Sequence, residues 1–227
     1  MIEVGKSLRV LIVHAHHEPS SFNGAMTGRA ESVLTLAGHE VEISDLYAMH
    51  FDPVSDRRNF HTVANAERLQ QQDEEALASK VGSYAPDVQA EIDKLEWCDL
   101  LIFQFPIWWL GLPAILKGWV DRVLVLGHAY GGGRWFETGA YRGKRAMCSL
   151  TVGSRQHFYG DGGLYAPVEE ILYPIHHGIF GFCGFSVLEP FVVYGPNRMS
   201  DEERAAELVR YGNALLNQGT AGVIVNP

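Results

Sequence analysis

Cysteine is scarce in this chain: only Cys98, Cys148 and Cys183 occur in 227 residues, widely separated and each among apolar neighbours. That pattern argues against a disulfide framework or a thiolate zinc site, and reads instead as small buried hydrophobes in a reducing cytoplasm. Basic residues are also few, 18 Lys and Arg against 27 Asp and Glu, for a formal charge of -9. A general nucleic-acid binder needs a basic face for phosphate contacts, and none is visible. The densest cluster, Arg142-Gly143-Lys144-Arg145, reads as a solvated turn. Long hydrophobic runs are missing too. The nearly uncharged stretch from Leu100 to Leu116 is shorter than the roughly 20 apolar residues of a membrane helix and contains Pro106 and Pro113, so no membrane insertion is expected. The early run Val10 to Ala15 is too short for a signal peptide and is followed by histidines.

What is present is a chain with 47% hydrophobic residues, enough for one domain over 1–227. Leu8 to Ala15 is an almost continuous branched apolar run, as in a parallel strand buried on both faces. Cap-type residues Pro19 to Asn23 open a helix that stops near Gly38, and a second strand fits Val41 to Leu46. The segment at about 47–96 breaks this rhythm as an excursion that closes with a helix from about Pro86 to Trp97. A third strand fits Asp99 to Phe105, followed by a helix from Pro113 to about Leu126. A glycine-rich loop, Gly127 to Gly133, leads to a fourth strand near Ala146 to Val152. A helical region from about Ala166 to Phe182 and a fifth strand near Ser186 to Val193 follow. Ser200-Asp201-Glu202-Glu203 offers a capping box before a final helix to about Asn217. The sum predicts an α/β fold: a doubly wound, five-stranded parallel sheet with helices on both faces.

In such sheets ligands sit outside the carboxyl ends of the strands, at the point where strand order reverses. Three segments qualify. The first, His14 to Asn23, sets a histidine and hydroxyl and amide groups at a helix N-terminus, where the dipole favours an anion such as phosphate. Simple capping by Ser20 or Ser21 explains the same residues. Neither G-x-G-x-x-G nor a Walker lysine is present, which argues against a dinucleotide Rossmann site or an NTPase. The second, Pro106-Ile107-Trp108-Trp109-Leu110, places two indoles where they form either a flat wall for a planar aromatic ligand or ordinary core. Adjacent side chains in extended chain point to opposite sides, so the pair cannot easily share one core. The third, Thr151-Val152-Gly153-Ser154, has a glycine that lets the backbone approach a ligand edge. A competing pattern is His14-x-His16, as in metal-dependent barrel hydrolases. The chain is short for an eightfold barrel of about 250 residues, and His176-His177 has no companion carboxylate at an obvious strand end.

Several long segments in order resemble the flavodoxin-like NAD(P)H:quinone oxidoreductases of the DT-diaphorase type: Leu11 to Met26 (LIVHAHHEPSSFNGAM), Ser44 to Met49, Asp99 to Leu124, Ile171 to Pro190 and Ser200 to Arg204. The resemblance covers nearly the whole chain. It implies a homodimer with shared active sites, a flavin that is FAD rather than FMN, NAD(P)H as donor, and a quinone or similar small aromatic acceptor reduced by a ping-pong hydride transfer. Carried over by position, His16, Ser21, Phe22, Asn23 and Ala25 would hold the pyrophosphate and ribityl region. Pro106, Ile107, Trp108, Trp109 and Leu110 would line the isoalloxazine, with Trp109 at the ring floor and Trp108 turned toward the protein or the partner. Thr151, Val152, Gly153, Ser154 and Tyr159 would meet the polar edge, and Arg204 the adenine end. Trp109 and, from the partner subunit, Tyr130 would contact substrate.

The chain also departs from the family pattern. In Thr151-Val152-Gly153-Ser154 the family segment's second hydroxyl residue is Val152 and its second glycine is Ser154. Of the tyrosine and histidine that the family is held to use for negative charge on the reduced flavin, Tyr159 is kept and Tyr165 stands at the histidine position. A phenol can donate a hydrogen bond there, but it does not become a cation near neutral pH as imidazole does. Gly131-Gly132-Gly133 replaces bulkier residues at the pocket mouth. Of the two histidines and a cysteine that bind metal in one relative only His177 matches, so no metal is expected. The alternative in another class is a regulatory flavoprotein, the ancillary subunit of a potassium-efflux antiporter. A flavodoxin-type electron carrier is disfavoured because it needs no partner-supplied substrate wall.

Overall fold

The structure is a computed structural model that describes residues 7–217 and 222–226. Strand β1 (Arg9–His14) is followed by α1 (Phe22–Leu36) and β2 (Glu40–Asp45), and β2 pairs parallel to β1 from Arg9↔Glu40 to His14↔Asp45. The excursion contains α2 (Gln71–Val81) and closes with α3 (Pro86–Trp97), which starts on a proline as the sequence predicts. β3 (Leu100–Pro106), α4 (Ala114–Val123), β4 (Arg145–Val152) and α5 (Val168–Ile175) continue the alternation. β5 (Ser186–Leu188), β6 (Phe191–Tyr194), α6 (Asp201–Leu216) and β7 (Val223–Val225) complete it. The sheet runs β2-β1-β3-β4-β5-β7, with β6 also on β4. Strand order reverses between β1 and β3, and this is where the two chain directions leave a crevice.

Alternation along the strands sorts the core onto two faces. Val10, Ile12, Leu100 and Ile102 pack under α1 and α6 with Met26, Ala30, Tyr211 and Leu215. Leu11, Val13, Leu101, Phe103 and Phe105 pack under α3, α4 and α5 with Ile92, Trp119 and Leu172. Every residue of β3 and β4 is buried, including the polar Gln104, Ser149 and Thr151, so both strands are covered on both faces.

Five expectations are corrected. The fifth strand is two short ones, because Pro190 has no N–H to continue the ladder. β5 pairs Arg145–Ala146 and β6 pairs Ser149–Val152, so together they fill the fifth position of the sheet. β7 then adds an antiparallel strand on β5 that the sequence reading does not contain. The helix after Pro113 stops at Val123 rather than near Leu126. The region to Phe182 is α5 followed by a π-helical turn, His176–Gly181, beyond Pro174. Finally, the basic turn at 142–145 is only partly solvated: Arg145 is buried, and the Lys144 Nζ donates to the carbonyls of Leu95, Glu96 and Cys98, closing the C-terminus of α3. The three cysteines are free and buried, as read from their neighbours.

Candidate active site

The carboxyl ends of β1, β3 and β4 meet the N-terminus of α1 in a cleft of about 420 Å³, lined by His16, Ser21, Phe22, Asn23, Pro106, Ile107, Trp108, Thr151, Val152 and Gly153. Ser21 caps α1 by accepting from the Gly24 N–H at 3.1 Å. Gly24 is required there: a Cβ would stand 2.1 Å from the Pro19 carbonyl oxygen. The capping explanation of this segment holds, and the same helix N-terminus faces the cleft.

Asn23 joins the three elements. Its Nδ2 donates to Thr151 Oγ1 at 2.9 Å, and its Oδ1 accepts from Gln104 Nε2 at 2.9 Å. Asn23, Thr151 and Gln104 are all buried, so this short polar chain fixes the helix start against β3 and β4. Pro106 pairs with Thr151 in the ladder, and the Ile107 N–H donates to the Thr151 carbonyl at 2.9 Å. Gly153 follows at the rim, with no atom within 4 Å of where a Cβ would stand. The protein's own packing does not require a glycine here; a ligand approaching the backbone would.

The tryptophans differ from the expectation. Trp108 lines the cleft at 36% exposure, packed on His16 and His17 at ring distances of 6.1 and 5.8 Å, whereas Trp109, at 102%, stands wholly in solvent. The cause is a two-residue reverse turn: Trp108 and Gly111 exchange backbone hydrogen bonds of 3.2 and 3.0 Å. Trp109 and Leu110 occupy its tip with φ of 52° and 56°. Within this chain the indole beside the cleft is thus Trp108, and Trp109 and Leu110 stand exposed at the turn tip.

His16 and His17 stack at 4.8 Å, and His16 Nδ1 accepts from the Glu18 N–H at 3.0 Å. Partial burial, with His17 next to it, holds the His16 imidazole below its ordinary pKa. His14 is buried and turned to Thr27, whose Oγ1 lies 2.8 Å from Nδ1, and burial lowers its pKa as well. His177 stacks on Phe136 and Tyr173 at 5.0 and 5.1 Å. Among the described residues no group of three or more His, Cys, Asp or Glu could hold a metal.

Tyr159 and Tyr165 stack at 5.1 Å in the loop after β4, bridged by the Tyr165 N–H on the Phe158 carbonyl. Burial raises the Tyr159 phenol above its ordinary pKa, against a smaller opposing effect of hydrogen bonding to Ser154. Arg204 and Ala25 line a second groove of about 520 Å³ that shares Ser21, Phe22, Pro196 and Asn197 with the cleft. Arg204 is pinned there by the Met199 carbonyl at 2.6 Å and by Asp201. Tyr130 lies elsewhere, in a pocket with Phe182 and Cys183 that shares no residue with the cleft.

The sequence reading missed Pro196 and Asn197, which line the cleft, and gave no role to Glu18 inside the His14–Asn23 segment. Pro196 and Asn197 follow β6, so applying the strand-end rule to the fifth position of the sheet would have found them.

A model described as flavodoxin-like fold matches residues 8–215. The chain belongs to the flavodoxin-like family. It is 44% identical over 201 residues to rat NAD(P)H dehydrogenase (quinone) 1, covering 88% of this chain and 73% of that protein. It is 39% identical over 208 residues to human ribosyldihydronicotinamide dehydrogenase (quinone), covering 91% and 90%. Among solved structures, a Klebsiella pneumoniae protein assigned as a quinone reductase superposes with a TM-score of 0.92 at 37% identity, covering 96% of this chain and 87% of that one. No helix among the described residues is long and apolar enough to cross a membrane.

Proposed function

We propose that this flavodoxin-like chain is a flavin-dependent NAD(P)H:quinone reductase working by ping-pong hydride transfer. The observation that carries the reading is the cleft at the β1/β3 switch point. A helix N-terminus, the Trp108 face and the open rim of Gly153 converge there, in a chain whose relatives are named as quinone-reducing dehydrogenases across most of its length. The antiporter-subunit alternative gains no support from those relatives.

The residues present fit a flavin. The N-terminus of α1, with Ser21, Phe22 and His16, suits a pyrophosphate by its dipole and N–H groups. Pro106, Ile107 and Trp108 supply an apolar wall for a planar ring, and Thr151, Val152 and Gly153 supply backbone at its polar edge. The adjoining groove with Ala25 and Arg204 continues away from that wall and supports FAD rather than FMN, since a second nucleotide half needs such a channel. When bound, the flavin would take a hydride from nicotinamide and deliver two electrons to a quinone. The chain's own part is to orient the ring, keep water from one face, and hold charge near its edge. Tyr159, and Tyr165 in place of the family's histidine, offer hydroxyls for that last role; Ser154 is next to them. Tyr130 and the exposed Trp109 and Leu110 serve a homodimer in which each subunit walls its partner's acceptor site. The free thiols suit a cytoplasmic protein.

Initial rates of NADH and NADPH oxidation by the flavin-loaded protein, with 1,4-naphthoquinone as acceptor, test this. Parallel double-reciprocal lines are expected, and intersecting lines or no acceptor-dependent oxidation would refute the ping-pong reductase.

A further inference from the structure

Glu75 is a buried carboxylate that the reaction as described does not use. It sits on α2, outside the cleft, and its three hydrogen-bond donors are neutral. Oε1 accepts from Gln71 Nε2 at 2.8 Å, and Oε2 accepts from the Leu126 N–H at 2.7 Å and from the Tyr130 hydroxyl at 3.2 Å. Glu75 and Tyr130 together line a pocket of about 290 Å³ whose other walls include Val120, Leu124, Ile179 and Phe182. Tyr130 also packs on Phe182 at a ring distance of 5.9 Å. The second carboxylate of the pocket, Asp121, is matched by Lys117 at 2.6 Å.

Two consequences follow from this arrangement. The Tyr130 proton is committed to Glu75, so the tyrosine offers a ligand its ring and no O–H donor. Behind that ring stands a negative charge in apolar surroundings, where Coulomb interactions are stronger than in water. The three glycines that follow Tyr130 carry no side chain beside it, and at Gly132 and Gly133 a Cβ would meet nothing within 4 Å.

We propose that Glu75 sets the acceptor class: it positions Tyr130 and makes its pocket select neutral aromatic acceptors over anionic ones. The inference rests on the reading that Tyr130 walls the acceptor site of a quinone reductase. Glu75→Gln is the direct test, because the amide oxygen can keep Leu126 and Tyr130 while the Gln71 amide turns over to accept from the new NH₂. With the flavin-loaded protein and saturating NADPH, kcat/KM is measured for 1,4-naphthoquinone and for its 2-sulfonate at low and high salt. Glu75→Gln is expected to raise the sulfonate-to-neutral ratio about tenfold at low salt, with the gap closing as salt is raised. Glu75→Asp, which keeps the charge, should retain the wild-type ratio. Binding of the sulfonate to the oxidised protein, read from quenching of tryptophan fluorescence without turnover, should tighten in Glu75→Gln by a similar factor. A ratio and a binding constant that do not move in Glu75→Gln would overturn the role of Glu75 and leave the reductase standing. Failure of the wild type to reduce either quinone would overturn the reductase reading itself, and this inference with it.

Discussion

Replacing Asn23 tests whether the polar chain at the cleft floor holds the fold or only faces a ligand. Asn23→Ala removes two hydrogen bonds of 2.9 Å at once and strands a buried amide donor on Gln104 and a buried hydroxyl on Thr151. Each stranded group costs roughly 1–3 kcal/mol, so the flavin-free protein should lose about 2–6 kcal/mol in urea unfolding. Thr151→Val removes one of those partners. In a double-mutant cycle the Asn23–Thr151 coupling should be about 1 kcal/mol or more, since the second substitution no longer strands the hydroxyl. The assay is urea unfolding of both single variants and the double variant without flavin, followed by far-ultraviolet circular dichroism. A loss below about 0.5 kcal/mol for Asn23→Ala, with no coupling, would refute the structural role.

Gly153→Ala should leave flavin-free stability within about 0.5 kcal/mol, because its Cβ meets nothing within 4 Å, yet weaken flavin binding measured by fluorescence titration. Exchanging the turn tip as Trp109→Asn with Leu110→Gly relieves two left-handed φ angles, 52° and 56°. It should raise flavin-free stability by about 1–2 kcal/mol, since Asn-Gly is the favoured pair in such a turn. His176 is buried, its Nε2 has no hydrogen-bond partner, and burial lowers its pKa from 6.5 to about 4. Between those values the unfolded chain binds the proton and the folded one does not, so stability is full above pH 6.5 and falls as pH drops toward 4. The His176→Leu variant should therefore gain about 2 kcal/mol on the wild type between pH 8 and pH 5, read from urea midpoints at each pH.

The fold was legible where local chemistry and tertiary packing agree. Ser21 and the Ser200–Glu203 capping box start their helices as the sequence says, and the apolar runs of β1 and β3 are strands buried on both faces. The strand-end rule brought three of the cleft's walls together from sequence alone. What the sequence hid depends on long-range partners or on backbone turns. Lys144 looks like surface until the carbonyls of Leu95, Glu96 and Cys98 arrive from α3. β7 exists only because β5 offers it an edge. Trp108 and Trp109 are indistinguishable in composition, and the reverse turn to Gly111 alone decides which one lines the cleft. Glu75 carried no signal, because its donors lie on the same helix and on a loop 51 to 55 residues away.

The measurement that bears most directly on the account is an anaerobic titration of FAD-loaded protein with NADPH and, separately, NADH, following flavin absorbance. The account predicts bleaching by at least one nicotinamide with one equivalent per flavin, and full recovery of colour on adding one equivalent of 1,4-naphthoquinone. Flavin that binds but is bleached by neither nicotinamide, or that stays bleached after the quinone is added, would contradict it.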